Sequence, residues 1–155
     1  MGKTPPRILV ALHDAEQLAD LVGLGCSLAR ADRHSEVHVL HVVVIPRALP
    51  LEADMKAEVT CGEALLAKAE EVAEERFGRR VRTDLLQARE AGPAILEEIN
   101  EKAIDVVVLG HRRHRGFGER GFGATVSYVV KHAPCRVAIG VPAERGEGAH
   151  PEGTA

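Results

Sequence analysis

Apolar residues along the chain fall into two alternating kinds of stretch. One kind is short and nearly continuous: RILVAL (Arg7 to Leu12), EVHVLHVVVI (Glu36 to Ile45), DVVVLG (Asp105 to Gly110) and RVAIGV (Arg136 to Val141). Runs of this length without polar alternation read as strands buried on both faces. VRTDLLQ (Val81 to Gln87) alternates in part, as a strand near a sheet edge would. The other kind repeats at helical spacing. Leu18, Leu21, Val22, Leu24 and Leu28 predict a helix capped by Asp14 and running to about Ala31. Leu65, Leu66, Ala69, Val72 and Ala73 predict one from about Ala57 to Phe77, ended by Gly78. Gly92-Pro93 opens a shorter helix with Ile95, Leu96 and Ile99 inward, ending near Ala103. Ala124, Thr125, Val126, Val129 and Val130 predict a last one between Gly123 and Ala133-Pro134. Gly23 and Gly25 either weaken the first helix or let it pack closely on the sheet. Arg47 to Met55, with Pro50, is expected to be a long loop.

Strict alternation of strand and helix implies an α/β domain with parallel strands, right-handed crossovers and helices on both faces. Ligands in such sheets sit beyond the strand C-termini where the strand order reverses. With the first strand central, that crevice lies between Leu12 and His13 on one side and Leu109 and Gly110 on the other. The fourth strand runs straight into HRRHRGFGERGF, and the loop closes at Gly123, where a helix begins. Loop amides, guanidinium groups and the positive end of a helix dipole therefore collect in one place, which suits an anion. A plain solvated basic surface is the competing reading. Glycine density and the position at the end of a buried strand favour close approach of an anion to backbone.

Bulk properties narrow the class. A length of 155 residues fits one domain: residues 1–6 as a lead-in, 7–142 as the folded unit, and the Gly- and Glu-rich 143–155 as a disordered tail. A net charge of −3 argues against a general nucleic-acid binder, and 3% aromatic content leaves little for base stacking. Cys26, Cys61 and Cys135 lie far apart with no CxxC pair, which fits a reducing compartment and disfavours both disulfides and a zinc site. No stretch is long and apolar enough for membrane insertion, so the cytoplasm is expected.

Candidate chemistry is sparse. GFGERG (Gly116 to Gly121) matches GxGxxG literally. It follows the fourth strand rather than the first and lacks a downstream acid at the ribose distance, so a dinucleotide fingerprint is disfavoured. No P-loop is present. Ser27, Ser35, Ser127 and Cys135 lack a nucleophile's setting, and His111 and His114 have no readable nucleophile to serve. His38 and His41, three apart on a strand, point to opposite faces and read as ordinary strand histidines rather than a metal pair. Glu70, Glu71, Glu74 and Glu75 read as a solvated helix face. No paired carboxylates or metal cluster is evident, so catalysis is not expected.

RILVAL, VHVLHVV, DVVVLG and GATVSYVVKHAPCRVAI together resemble the universal stress protein family, from Arg7 to Pro142. The resemblance implies a single-domain, open parallel sheet of order 3-2-1-4-5, Rossmann-like and similar to the adenine-nucleotide alpha hydrolase-like group. ATP-binding members carry G-2x-G-9x-G-[ST] after the fourth strand. Gly110 and Gly123 match its first and last glycines; Arg113 replaces the middle one and Ala124 the Ser/Thr, with Thr125 next. Where the family's first strand often ends in Val-Asp-Gly-Ser, this chain has Leu12, His13, Asp14 and Ala15. Val42 matches the adenine-contacting valine. The resemblance thus implies a site of Ala11, Leu12, His13, Val42, Leu109, Gly110, Arg112, Arg113, Gly123, Ala124 and Thr125 for ATP or another adenine nucleotide, with bound Mg left open. It also implies a homodimer through the last strand, Arg136 to Val141, and an energy-state sensor rather than an efficient enzyme. The alternative is a stress-response interaction module that does not bind ATP, serving a protein partner, or a regulatory domain like those associated with amino-acid transporters, which the segment IPRALPL resembles.

Overall fold

In the computed structural model, which describes residues 4–112 and 122–142, β1 (Arg7–Leu12) is the middle strand of a parallel sheet. The elements follow as α1 (Leu18–Leu28), β2 (Glu36–Val44), α2 (Lys56–Phe77), β3 (Arg82–Ala88), α3 (Ala91–Glu101), β4 (Val106–Gly110), α4 (Ala124–His132) and β5 (Arg136–Gly140). Their order across the sheet is β3-β2-β1-β4-β5, as the resemblance implies. β1 pairs with β2 in register Leu12↔His41 and with β4 in register Val10↔Val108.

Alternate residues of each central strand serve different layers. Ile8, Val10 and Leu12 pack with Leu21 and Val22 of α1 and Leu66 and Val72 of α2. Leu9 and Leu40 face the other way, onto Ile95 and Ile99 of α3 and Val126 and Val129 of α4. Ile8, Leu9 and Val10 are at most 1% exposed, and burying each contributes roughly 1.5–3 kcal/mol. The helices run close to the sheet: a Cβ on Gly25 would meet Val10 Cγ2 at 2.5 Å, so this glycine serves close packing rather than weakening α1.

Two arginines fasten the loops. Arg79 donates to the carbonyls of Ser35 at 2.8 Å and Ala29 at 3.1 Å, holding the exposed end of α1 through a charge suited to a helix C-terminus. Arg89 donates to the carbonyls of Pro46 and Leu49, both at 2.6 Å, pinning the long β2–α2 loop. Gly78 ends α2 at φ 60°, a conformation that a side chain would strain.

Several expectations need correction. α1 starts at Leu18 with Gln17 in the capping position, because the Asp14 carboxylate is turned to the Glu16 N–H, 2.9 Å away, and to Arg112. It also stops at Leu28, not Ala31, since Ala29 to Asp32 form turns held by Arg79. The histidines behave as ordinary strand residues: His38 donates from Nε2 to Glu36 at 3.1 Å, and His41 from Nδ1 to the Leu12 carbonyl at 2.9 Å. The tail from residue 143, the GxGxxG stretch and Arg113 lie outside the described residues.

Candidate functional site

Chain direction creates the crevice. After β1 the chain turns toward β2 and lays α1 on one face; after β4 it turns toward β5 and lays α4 on the other. The two loops separate, and a cavity of about 640 Å³ opens beyond the C-terminal ends of β1 and β4. That volume lies within the usual range for small-molecule sites, about 300–1,000 Å³.

Ten of the eleven residues expected at the site line this cavity. Ala11, Leu12 and His13 come from the end of β1, Val42 from β2, Leu109, Gly110 and Arg112 from β4 and the residues after it, and Gly123, Ala124 and Thr125 from the start of α4. Arg113 is outside the described residues. Sequence reasoning missed Asp14 and Gln17 of the β1–α1 connection, Leu40, His111 and Phe122, and Ala91 and Ile95 of α3. The α3 contribution follows from topology alone: a helix crossing from β3 at one edge to β4 must pass over β2 and β1, and so over the crevice.

The cavity has two chemically different ends. Ala11, Leu40, Val42, Ile95 and Leu109 form an apolar wall. At the other end Gly123 enters α4 in an extended conformation, with φ −62° and ψ 171°, and no side chain caps the helix. The amides of Ala124, Thr125 and Val126 are the leading N–H groups of that helix, which has no earlier turn to receive them. Ser127 Oγ donates to the Phe122 carbonyl at 3.1 Å, and the Phe122 ring meets the His111 ring edge-on at 4.9 Å. A side chain at Gly110 would meet the ends of the Gln17 and Leu21 side chains, which would have to shift to admit it. Gln17 Nε2 in turn donates to the His111 carbonyl at 3.2 Å, tying the two loops together behind the cavity.

Charge at the mouth is already partly matched. Arg112 is paired with the Asp14 carboxylate and with Glu16 Oε2 at 3.1 Å. Partial burial pushes the imidazolium pKa of His13 below its ordinary 6.5, and the nearby charges of Arg112 and His41 push the same way. His13 is therefore neutral at physiological pH, able to donate from one ring nitrogen and accept at the other. Among the described residues no group of His, Cys, Asp and Glu is placed to hold a metal ion.

Comparison with known proteins adds the family. No curated protein sequence matches the chain closely enough to count as a relative. Among solved structures, a universal stress protein from Archaeoglobus fulgidus matches with a TM-score of 0.68 at 21% identity, covering 86% of this chain and 92% of that one. The Archaeoglobus fulgidus universal stress protein in complex with dAMP matches with a TM-score of 0.65 at 16% identity, over 88% and 97%. An Arabidopsis thaliana universal stress protein family protein with AMP bound gives 0.56 at 17%, over 95% and 98%. At these identities the likeness is one of fold. The universal stress protein family model matches residues 5–141, nearly the whole of the described chain, and the protein belongs to the universal stress protein family.

Proposed function

We propose that the chain binds an adenine nucleotide in the crevice beyond β1 and β4 and acts as a regulatory stress protein rather than an efficient enzyme. The observation that carries this is the two-ended cavity. Its apolar wall around Val42, Leu40 and Ile95 suits a purine ring, while the uncapped start of α4 beside Arg112 suits phosphate. Two structures of similar fold are described as complexes with dAMP and AMP, which supports an adenine ligand here. ATP, with Mg accompanying the triphosphate, is the larger member of the same ligand class. The proposed setting is the cytoplasm, which suits three free cysteines. No helix among the described residues is long and apolar enough to cross a membrane.

The direct test is co-purified ligand together with ligand-induced stabilisation. Supernatant from heat-denatured protein should contain an adenine nucleotide, and millimolar AMP should raise the melting temperature of stripped protein. At a hundredfold excess over Kd the gain is about 2.7 kcal/mol. No released adenine and no shift with adenosine, AMP or Mg-ATP would instead favour the interaction-module reading. That reading has one observation of its own: the IPRALPL segment presents Leu49 and Leu51 exposed.

The proposed assembly is a homodimer through β5. Among the described residues this strand pairs only with β4 and lies at the sheet edge, leaving a row of backbone donors and acceptors for a second copy. Sedimentation should give the mass of two chains, whereas a monomer independent of concentration would refute it.

A further inference from the structure

We propose that Asp14 and Glu16 form a carboxylate latch on Arg112, so that phosphate must displace them and the site favours ligands of low negative charge over the triphosphate. This rests on the adenine reading of the cavity and concerns what that cavity selects.

Arg112 leaves the end of β4, and its guanidinium reaches across the crevice mouth to the β1–α1 loop, where both carboxylates lie. Among the described residues lining the cavity, Arg112 is the one permanent cation. Among the described residues, the two carboxylates against the one guanidinium leave a surplus negative charge at the β1–α1 side of the mouth. A phosphate arriving at the start of α4 therefore meets a cation whose donors are already engaged. Turning Arg112 to the phosphate would strand Asp14 and Glu16 beside another anion, and like charges at such range repel appreciably even where solvent screens them. His13, neutral at physiological pH, does not offset them. An uncharged nucleoside escapes this penalty, since it needs the apolar wall and not the cation.

The Asp14 oxygen that accepts the Glu16 N–H at 2.9 Å is conserved in an amide, so Asp14→Asn keeps the loop turn while removing the charge. The experiment measures the affinities of adenosine, AMP and ATP, in chelator so that no divalent ion bridges the acids, for the unaltered chain and the Asp14→Asn/Glu16→Gln double variant. Adenosine is expected to bind the unaltered chain at least as well as ATP. The double variant is expected to gain about tenfold for AMP and more for ATP, with adenosine changed by less than about twofold. Unchanged or weakened ATP binding, or an equal gain for adenosine, overturns the latch. If none of the three binds the unaltered chain, the adenine reading fails by itself. The latch then stands only if the double variant acquires AMP and ATP binding, and falls otherwise.

Discussion

Lys102→Ala is expected to cost roughly 2–3 kcal/mol of folding stability, somewhat below the range typical for breaking a fully buried ion pair because this lysine keeps some contact with solvent. Its ammonium sits just past α3, paired with Asp84 on β3 and with Glu98 Oε2 at 2.9 Å, the latter off the line of a good hydrogen bond. Glu98 is only 6% exposed. Without the ammonium, that carboxylate would be a buried charge with no described cation beside it. Burial pulls the Lys102 pKa down, but the hydrogen bond to Asp84 and the charges of Glu98 and Asp84 outweigh it and leave the value raised above 10.5. Because the folded value is the higher one, the lysine's contribution is fully present below pH 10.5 and is lost as pH rises through the folded value. Urea unfolding of the variant and the unaltered chain measures the deficit. Lys102→Met with Glu98→Leu should recover most of the loss, since an apolar pair of similar volume needs no compensation. A deficit under about 0.5 kcal/mol would show that Glu98 finds other support.

Much of the fold could be read from the chain because each central strand is apolar on both faces, which only a parallel sheet covered on both sides accommodates. The strand limits of β1 and the end of α2 at Gly78 fall where the pattern placed them. The start of α1 did not, for a reason local pattern cannot carry. Asp14 has the composition of a helix cap, yet its carboxylate answers a charge nearly a hundred residues away in sequence. The end of α1 was likewise set from a distance, by Arg79 after α2. Capping preferences describe a helix in isolation, whereas here long-range ions and hydrogen bonds decided where the turns stop.

The site was legible for a different reason. Gly110 marks backbone packed closely on α1, Gly123 starts α4 with open space beside it, and the reversal of strand order places both beside Leu12 and His13. What periodicity could not supply was the state of the charge. Read along the chain, Arg112 belongs to an unopposed basic loop; in the fold it is already held by two acids from the β1–α1 loop. The place of Arg112 in a basic run is thus no measure of its available positive charge until the opposing loop is in place.

Val42→Phe is expected to abolish nucleotide-induced stabilisation while leaving the unliganded fold nearly untouched. Val42 lies on β2 in the apolar wall of the cavity, half-buried and facing free volume as well as its neighbours. A phenyl ring there enters space that the proposed purine would fill, so the usual cost of overpacking a closed core does not arise. Stability without ligand should stay within about 0.5 kcal/mol. Affinity should fall by about a hundredfold or more. At a ligand concentration that stabilises the unaltered protein by about 2.7 kcal/mol, the variant would then gain only about 0.4 kcal/mol. Val44→Phe supplies the comparison, because Val44 is exposed two residues on and does not line the cavity. It should respond to AMP as the unaltered chain does. Equal stabilisation of both variants by AMP would move the ligand away from this wall, and loss in both would point to damage along β2 rather than to a filled pocket.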